Sequence, residues 1–138
     1  MAGAGTGKDT GRDLFDAAVK AMDNAHAPYS GFPVGAALRT SNGTIHAGGN
    51  VENAAYPEGW CAETTAIAHM VAAGERTIVE VAVVAQKMAR ITPCGGCRQR
   101  LKEFGSPETR IHLCDETGVV ETVTLGDLLP MAFDMEER

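Results

Sequence analysis

Apolar residues at Leu14, Ala17, Ala18, Ala21 and Met22 recur at helical spacing, so a helix is predicted over Asp13 to Ala25. Ala27-Pro28-Tyr29-Ser30-Gly31 interrupts that stripe. Two short strand-like runs follow, Val34 to Arg39 and Thr44 to Gly48, joined across Asn42-Gly43, a strong hairpin signal. Asn50 to Trp60 reads as a loop, and Cys61 to Ala73 as a second helix. Ile78 to Ala85 is almost wholly apolar, as expected of a central strand covered on both faces. A third helix is predicted over Cys94 to Phe104, then strands at Ile111–Cys114 and Val119–Val123 and a short helix near Leu125–Leu129. Strands alternating with helices predict a three-layer α/β/α sandwich around a mixed sheet.

At 138 residues the chain is long enough for one domain with a real core, and 44% apolar residues is ordinary for a globular protein. Residues 1–11, rich in Gly, Ala and Thr, read as a mobile tail, leaving 12–138 as the domain. Gly7-Lys8 fails the phosphate-loop pattern: Ala2 stands where a glycine is required, and Asp9 where Ser or Thr is. The net charge of −6, with no basic cluster, argues against a nucleic-acid partner. No stretch is long and apolar enough to span a membrane.

Two short motifs carry chemistry: Cys61-Ala62-Glu63 and Pro93-Cys94-Gly95-Gly96-Cys97. Cys94 and Cys97 are three apart, so a helix opening at Cys94 sets both thiols on one face. Pro93 suits a helix start, where its missing N–H costs nothing, and a helix N-terminus favours thiolate. Cys61 opens the other helix, and Glu63, two residues on, diverges from the thiol. Three sulfurs on Zn²⁺ leave one tetrahedral position open, and a carboxylate that is not a ligand can move protons beside it. Cys-x-x-Cys alone would also fit a redox or structural zinc motif. A redox motif has no need of Cys61-Ala62-Glu63, and a closed zinc site needs a fourth ligand. His26, His46, His69 and His112 fit no ligand spacing, and Cys114 reads as a buried small hydrophobe in a strand. Thiolate ligands require reduced cysteines, which makes the cytoplasm the expected compartment.

The chain resembles the small, zinc-dependent, typically homotetrameric cytidine deaminases. The resemblance runs from about Ala27 to Phe133. It rests on Ala27-Pro28-Tyr29-Ser30-Gly31-Phe32-Pro33-Val34-Gly35-Ala36-Ala37-Leu38 and Gly49-Asn50-Val51-Glu52-Asn53-Ala54-Ala55-Tyr56-Pro57, on both cysteine motifs, and on Leu128-Leu129-Pro130-Met131-Ala132-Phe133. It implies zinc on Cys61, Cys94 and Cys97, with Glu63 as proton shuttle in the hydrolysis of cytidine and 2′-deoxycytidine to the uridines and ammonia. It also implies that Phe32 packs on the pyrimidine and that Asn50 and Glu52 bind the ribose 3′-hydroxyl. Ala62 counts with the substrate-binding positions, and Tyr56 and Phe133 match positions reached by neighbouring subunits. Three-cysteine members usually carry arginine directly after the glutamate. Here Thr64 stands there, so Arg98, with the helix N-termini, is expected to offset the thiolate charge. Two other readings stand beside this one. A deaminase of a modified cytosine nucleoside such as blasticidin S is opposed by Asn50 and Glu52. A non-catalytic zinc scaffold is opposed by Glu63.

Overall fold

The computed structural model describes residues 3–137. Its elements follow the sequence pattern closely. They are α1 (Gly3–Asp23), β1 (Val34–Thr40), β2 (Ile45–Gly49), a single 3₁₀ turn (Tyr56–Glu58), α2 (Ala62–Ala72), β3 (Ile78–Ala85), α3 (Gly95–Phe104), β4 (Arg110–Asp115), β5 (Gly118–Thr124) and α4 (Leu125–Leu128). Cys61 and Cys94 stand one residue outside α2 and α3 as their N-caps, in extended backbone. The first helix is longer than its apolar stripe, beginning at Gly3 rather than Asp13. Residues 3–11 of the expected tail therefore lie within a helix, while residues 1 and 2 are outside the described residues.

The five strands form one sheet in the order β2-β1-β3-β4-β5, which places β3 at its centre as its apolar run requires. Only β3 and β4 pair in parallel, and α3 lies in the connection between them; the other three pairings are antiparallel, so the sheet is mixed. Along β3 the side chains alternate between two cores. Val81 and Val83 join Leu38, Ala66, Met70, Leu101, Ile111 and Leu113 beneath α2 and α3. Ala82 and Val84 join Leu14, Phe15, Ala18, Ala37 and Cys114 beneath α1. The result is the expected α/β/α sandwich.

Two glycines are required by geometry. Gly43 turns the β1–β2 hairpin with φ of +91°. Gly35 lies so close to α1 that a Cβ there would fall 1.9 Å from the Ala18 carbonyl oxygen. Near Gly35, β1 begins opposite the ends of β2 and β3: Gly35 pairs with Gly49, and Val34 with Ala85. Since α2 follows β2 and α3 follows β3, both helices start at this same end of the sheet.

Candidate active site

The convergence of α2 and α3 brings three thiols together. The sulfurs of Cys61, Cys94 and Cys97 all lie within 4.8 Å of one another. Cys61 and Cys94, 33 residues apart in the chain, have their Sγ atoms 3.7 Å apart. Tetrahedral bonds of about 2.3 Å to one zinc put two sulfurs about 3.8 Å apart, so the cluster fits that ion. Neither N-cap cysteine spends its sulfur on capping its helix, which leaves both free for a ligand. The three differ in exposure: Cys97 is buried, Cys61 half-buried and Cys94 exposed. A hydrogen bond from Cys97 draws the Cys61 thiol down to about 6, and the same contact, with burial, pushes Cys97 up.

Glu63, in the first turn of α2, is 4% exposed, and burial raises its carboxyl above the usual carboxylate range. It lines a cavity of about 490 Å³ together with Ala62, Cys61 and Cys94. That volume falls within the span of about 300–1,000 Å³ common to small-molecule sites. Asn50, Glu52 and Tyr56 line it too, and Tyr56 is mostly exposed, edge-on to Tyr29 with ring centroids 6.5 Å apart.

Asn50 and Glu52 also hold the wall on which they stand. The Asn50 amide donates to the Phe32 carbonyl at 3.0 Å and accepts from the Val34 N–H at 2.9 Å. The Glu52 carboxylate accepts the N–H groups of Tyr29 and Ser30, at 3.0 and 3.1 Å, and the Ser30 hydroxyl. The Ser30 hydrogen bonds hold the Glu52 carboxyl below its ordinary value.

Phe32 is half-buried and is not among the cavity-lining residues; its neighbours Ser30 and Val34 form that wall. Phe133 is likewise outside the cavity of its own chain. It is 69% exposed, and its carbonyl accepts from Gln99 Nε2 at 3.0 Å.

Arg98 makes contacts with backbone carbonyls. Its guanidinium donates to the Pro93 carbonyl at 2.8 Å and the Leu128 carbonyl at 3.0 Å, fixing the loop before α3 and the end of α4. The arginine on a thiol is Arg100, whose Nη1 lies 3.8 Å from Cys97 Sγ. Thr64 Oγ1 is 4.0 Å from the same sulfur. Arg100 was legible in principle, being three residues beyond Cys97 on a helix. Trp60, Ile91 and Thr92, which directly precede the two cysteine motifs, also line the cavity.

The sequence profile of the cytidine and deoxycytidylate deaminase zinc-binding region matches residues 8–113, which include the three cysteines and Glu63. The chain belongs to this deaminase family. A cytidine deaminase of Sporosarcina psychrophila is 44% identical over 118 residues, 86% of this chain and 87% of that protein. The crystal structure of cytidine deaminase from Burkholderia pseudomallei superposes with a TM-score of 0.83 at 45% identity, covering 88% of this chain and 98% of that one. The Mycobacterium tuberculosis cytidine deaminase structure gives 0.81 at 36% identity, covering 90% and 97%. The deaminase fold is thus shared along nearly the whole of these relatives. The family profile names zinc, and the cysteine cluster is the donor set that suits it.

Proposed function

We propose that the chain hydrolyses cytidine and 2′-deoxycytidine to uridine and 2′-deoxyuridine, releasing ammonia. One observation carries the reading: buried Glu63 lines a cavity together with Cys61 and Cys94, two members of a three-thiol cluster that Cys97 completes. Cys61, Cys94 and Cys97 are the zinc ligands. Zinc held there supplies Lewis acidity and makes a water acidic enough to lose a proton near neutral pH.

Glu63 moves the protons. It takes one from the attacking water and delivers it to N3 of cytosine as the water oxygen bonds to C4. It then relays the second to the departing amino group, so C4–NH₂ and water become C4=O and ammonia. A carboxyl raised by burial suits this task, because it must accept and donate in turn near neutral pH. Asn50 and Glu52 bind the 3′-hydroxyl, pre-set by the loop they brace. Ala62 lines the base-binding end, and Tyr56 stands at the mouth. Phe32, set between the cavity-lining Ser30 and Val34, is the aromatic assigned to the pyrimidine.

Residues 12–138 act as one catalytic domain. Phe133 closes the site of a neighbouring subunit in a homotetramer. Its exposure in the single chain and that of Met131 (95%) and Met135 (74%) support this. Among the described residues no helix is long and apolar enough to cross a membrane. Four free cysteines accord with a reducing, cytoplasmic setting. Asn50 and Glu52 in the cavity weigh against a blasticidin S-type substrate, and buried Glu63 weighs against a scaffold.

The test is loss of cytidine absorbance, with elemental analysis, for wild type and Glu63→Ala. One zinc per chain is expected in both. The variant should lose on the order of 10²–10⁴ in turnover. A metal-free active wild type, or an active Glu63→Ala, sinks the mechanism.

A further inference from the structure

Three thiolates around one Zn²⁺ carry a net charge of −1, and such a site is held more firmly when a cation offsets that charge. Position 64, beside Glu63 on α2, carries an uncharged threonine. Arg98 is spent on two backbone carbonyls. Among the described residues, the side-chain cation recorded on a cluster sulfur is Arg100, at 3.8 Å from Cys97.

Its position follows from α3. Cys97 and Arg100 are three apart and so lie on one helix face. The guanidinium folds back over the first turn of α3, across Gly96. A Cβ at Gly96 would sit 3.1 Å from Arg100 Nη1 and 3.8 Å from its Cζ. The second glycine of Pro93-Cys94-Gly95-Gly96-Cys97 therefore leaves the space the arginine uses.

We propose that Arg100 is the positioning residue that offsets the thiolate charge of the Cys61-Cys94-Cys97 cluster and sets how firmly zinc is held. The proposal rests on reading the cluster as a zinc site. It makes Arg100 and Thr64 a compensating pair: the cation that could come from α2 at position 64 comes instead from α3 at position 100.

The experiment is zinc affinity by competition with a chromophoric chelator, which needs no turnover. Arg100→Gln should bind zinc about tenfold or more weakly than wild type. Arg100→Lys, which keeps the charge, should recover much of that loss. Thr64→Arg in the Arg100→Gln background should restore affinity from the other helix. Far-UV circular dichroism checks folding of each. Should Arg100→Gln not fold, Arg100→Met and Arg100→Lys give the same comparison of charge with an aliphatic stem retained. Equal zinc affinity in wild type and the charge-free variant overturns the proposal. A wild type that binds no zinc overturns the functional reading itself, so the two failures are distinct.

Discussion

Ser30 gives both its backbone N–H and its hydroxyl to the Glu52 carboxylate, the N–H at 3.1 Å. Glu52 reaches across 22 residues to do this, so it organises the Tyr29–Gly31 turn as well as facing the cavity. On the proposed sugar assignment, replacing Glu52 removes two roles at once. Changing the substrate separates them. Cytidine and 2′-deoxycytidine should both be turned over, while 3′-deoxycytidine should fall by about a hundredfold or more in kcat/KM, because it lacks the hydroxyl assigned to Asn50 and Glu52. Ser30→Ala should raise KM a few-fold for every substrate alike. Equal turnover of the 3′-deoxy analogue would remove Asn50 and Glu52 from the sugar.

Arg98 and Arg100, two residues apart on α3, should respond differently to mutation. Arg98→Gln leaves the Pro93 and Leu128 carbonyls without their donor. Loss of such charge-assisted bonds costs about 1.5–3 kcal/mol. The melting temperature should fall while zinc content and the acidic limb of the pH–rate profile stay in place. A shifted limb with unchanged stability would return the thiolate-balancing role to Arg98.

Glu80 is fully buried in β3 and meets His112 Nε2 at 2.6 Å and Arg39 and Arg110 at 3.3 Å each. Burial alone would raise its carboxyl, but the hydrogen bonds and charges of His112 and Arg110 outweigh it and lower the pKa to about 2. A folded-state pKa below the unfolded value gives stability that is present above pH 4.5 and lost as pH falls from there towards 2. The fall from 4.5 to about 2 corresponds to about 3 kcal/mol at most. Urea unfolding of the zinc-free protein at pH 7 and pH 3 should show a smaller pH effect in Glu80→Gln than in wild type. Parallel curves would show that Glu80 gains nothing from its partners.

The chain beyond Pro130 carries Met131, Phe133 and Met135, all strongly exposed. Truncation after Pro130 should raise KM and shift the oligomer towards smaller species in light scattering. The Lys102–Asp134 ion pair at 2.7 Å and the Gln99–Phe133 bond would go with it, both exposed and worth little to the fold. A fully active monomer would show that Phe133 closes no neighbouring site.

Much of this architecture was written along the chain. The Leu14–Met22 stripe, the Asn42-Gly43 turn and the apolar run Ile78–Ala85 each mark an element that the fold contains. The spacing of Cys94 and Cys97 alone puts two thiols at one helix start, and Glu63 two residues past Cys61 sets carboxyl and thiol apart. These are local relations, fixed by the periods of helix and strand. Other relations are decided by packing. Cys61 meets Cys94 only because the ends of β2 and β3 lie at the same end of the sheet and launch α2 and α3 side by side. Asn50 and Glu52 became wall braces because the Tyr29–Val34 segment folds over them, which no spacing records. The arginines show the difference most directly. Arg98 adjoins a ligand in sequence, yet its guanidinium is taken by carbonyls, one of them 30 residues away. Arg100, two residues further along α3, finds space over Gly96 and reaches the sulfur. Adjacency in sequence sets which groups are near; competition among acceptors in the folded chain, and the room left between them, decide which contact forms.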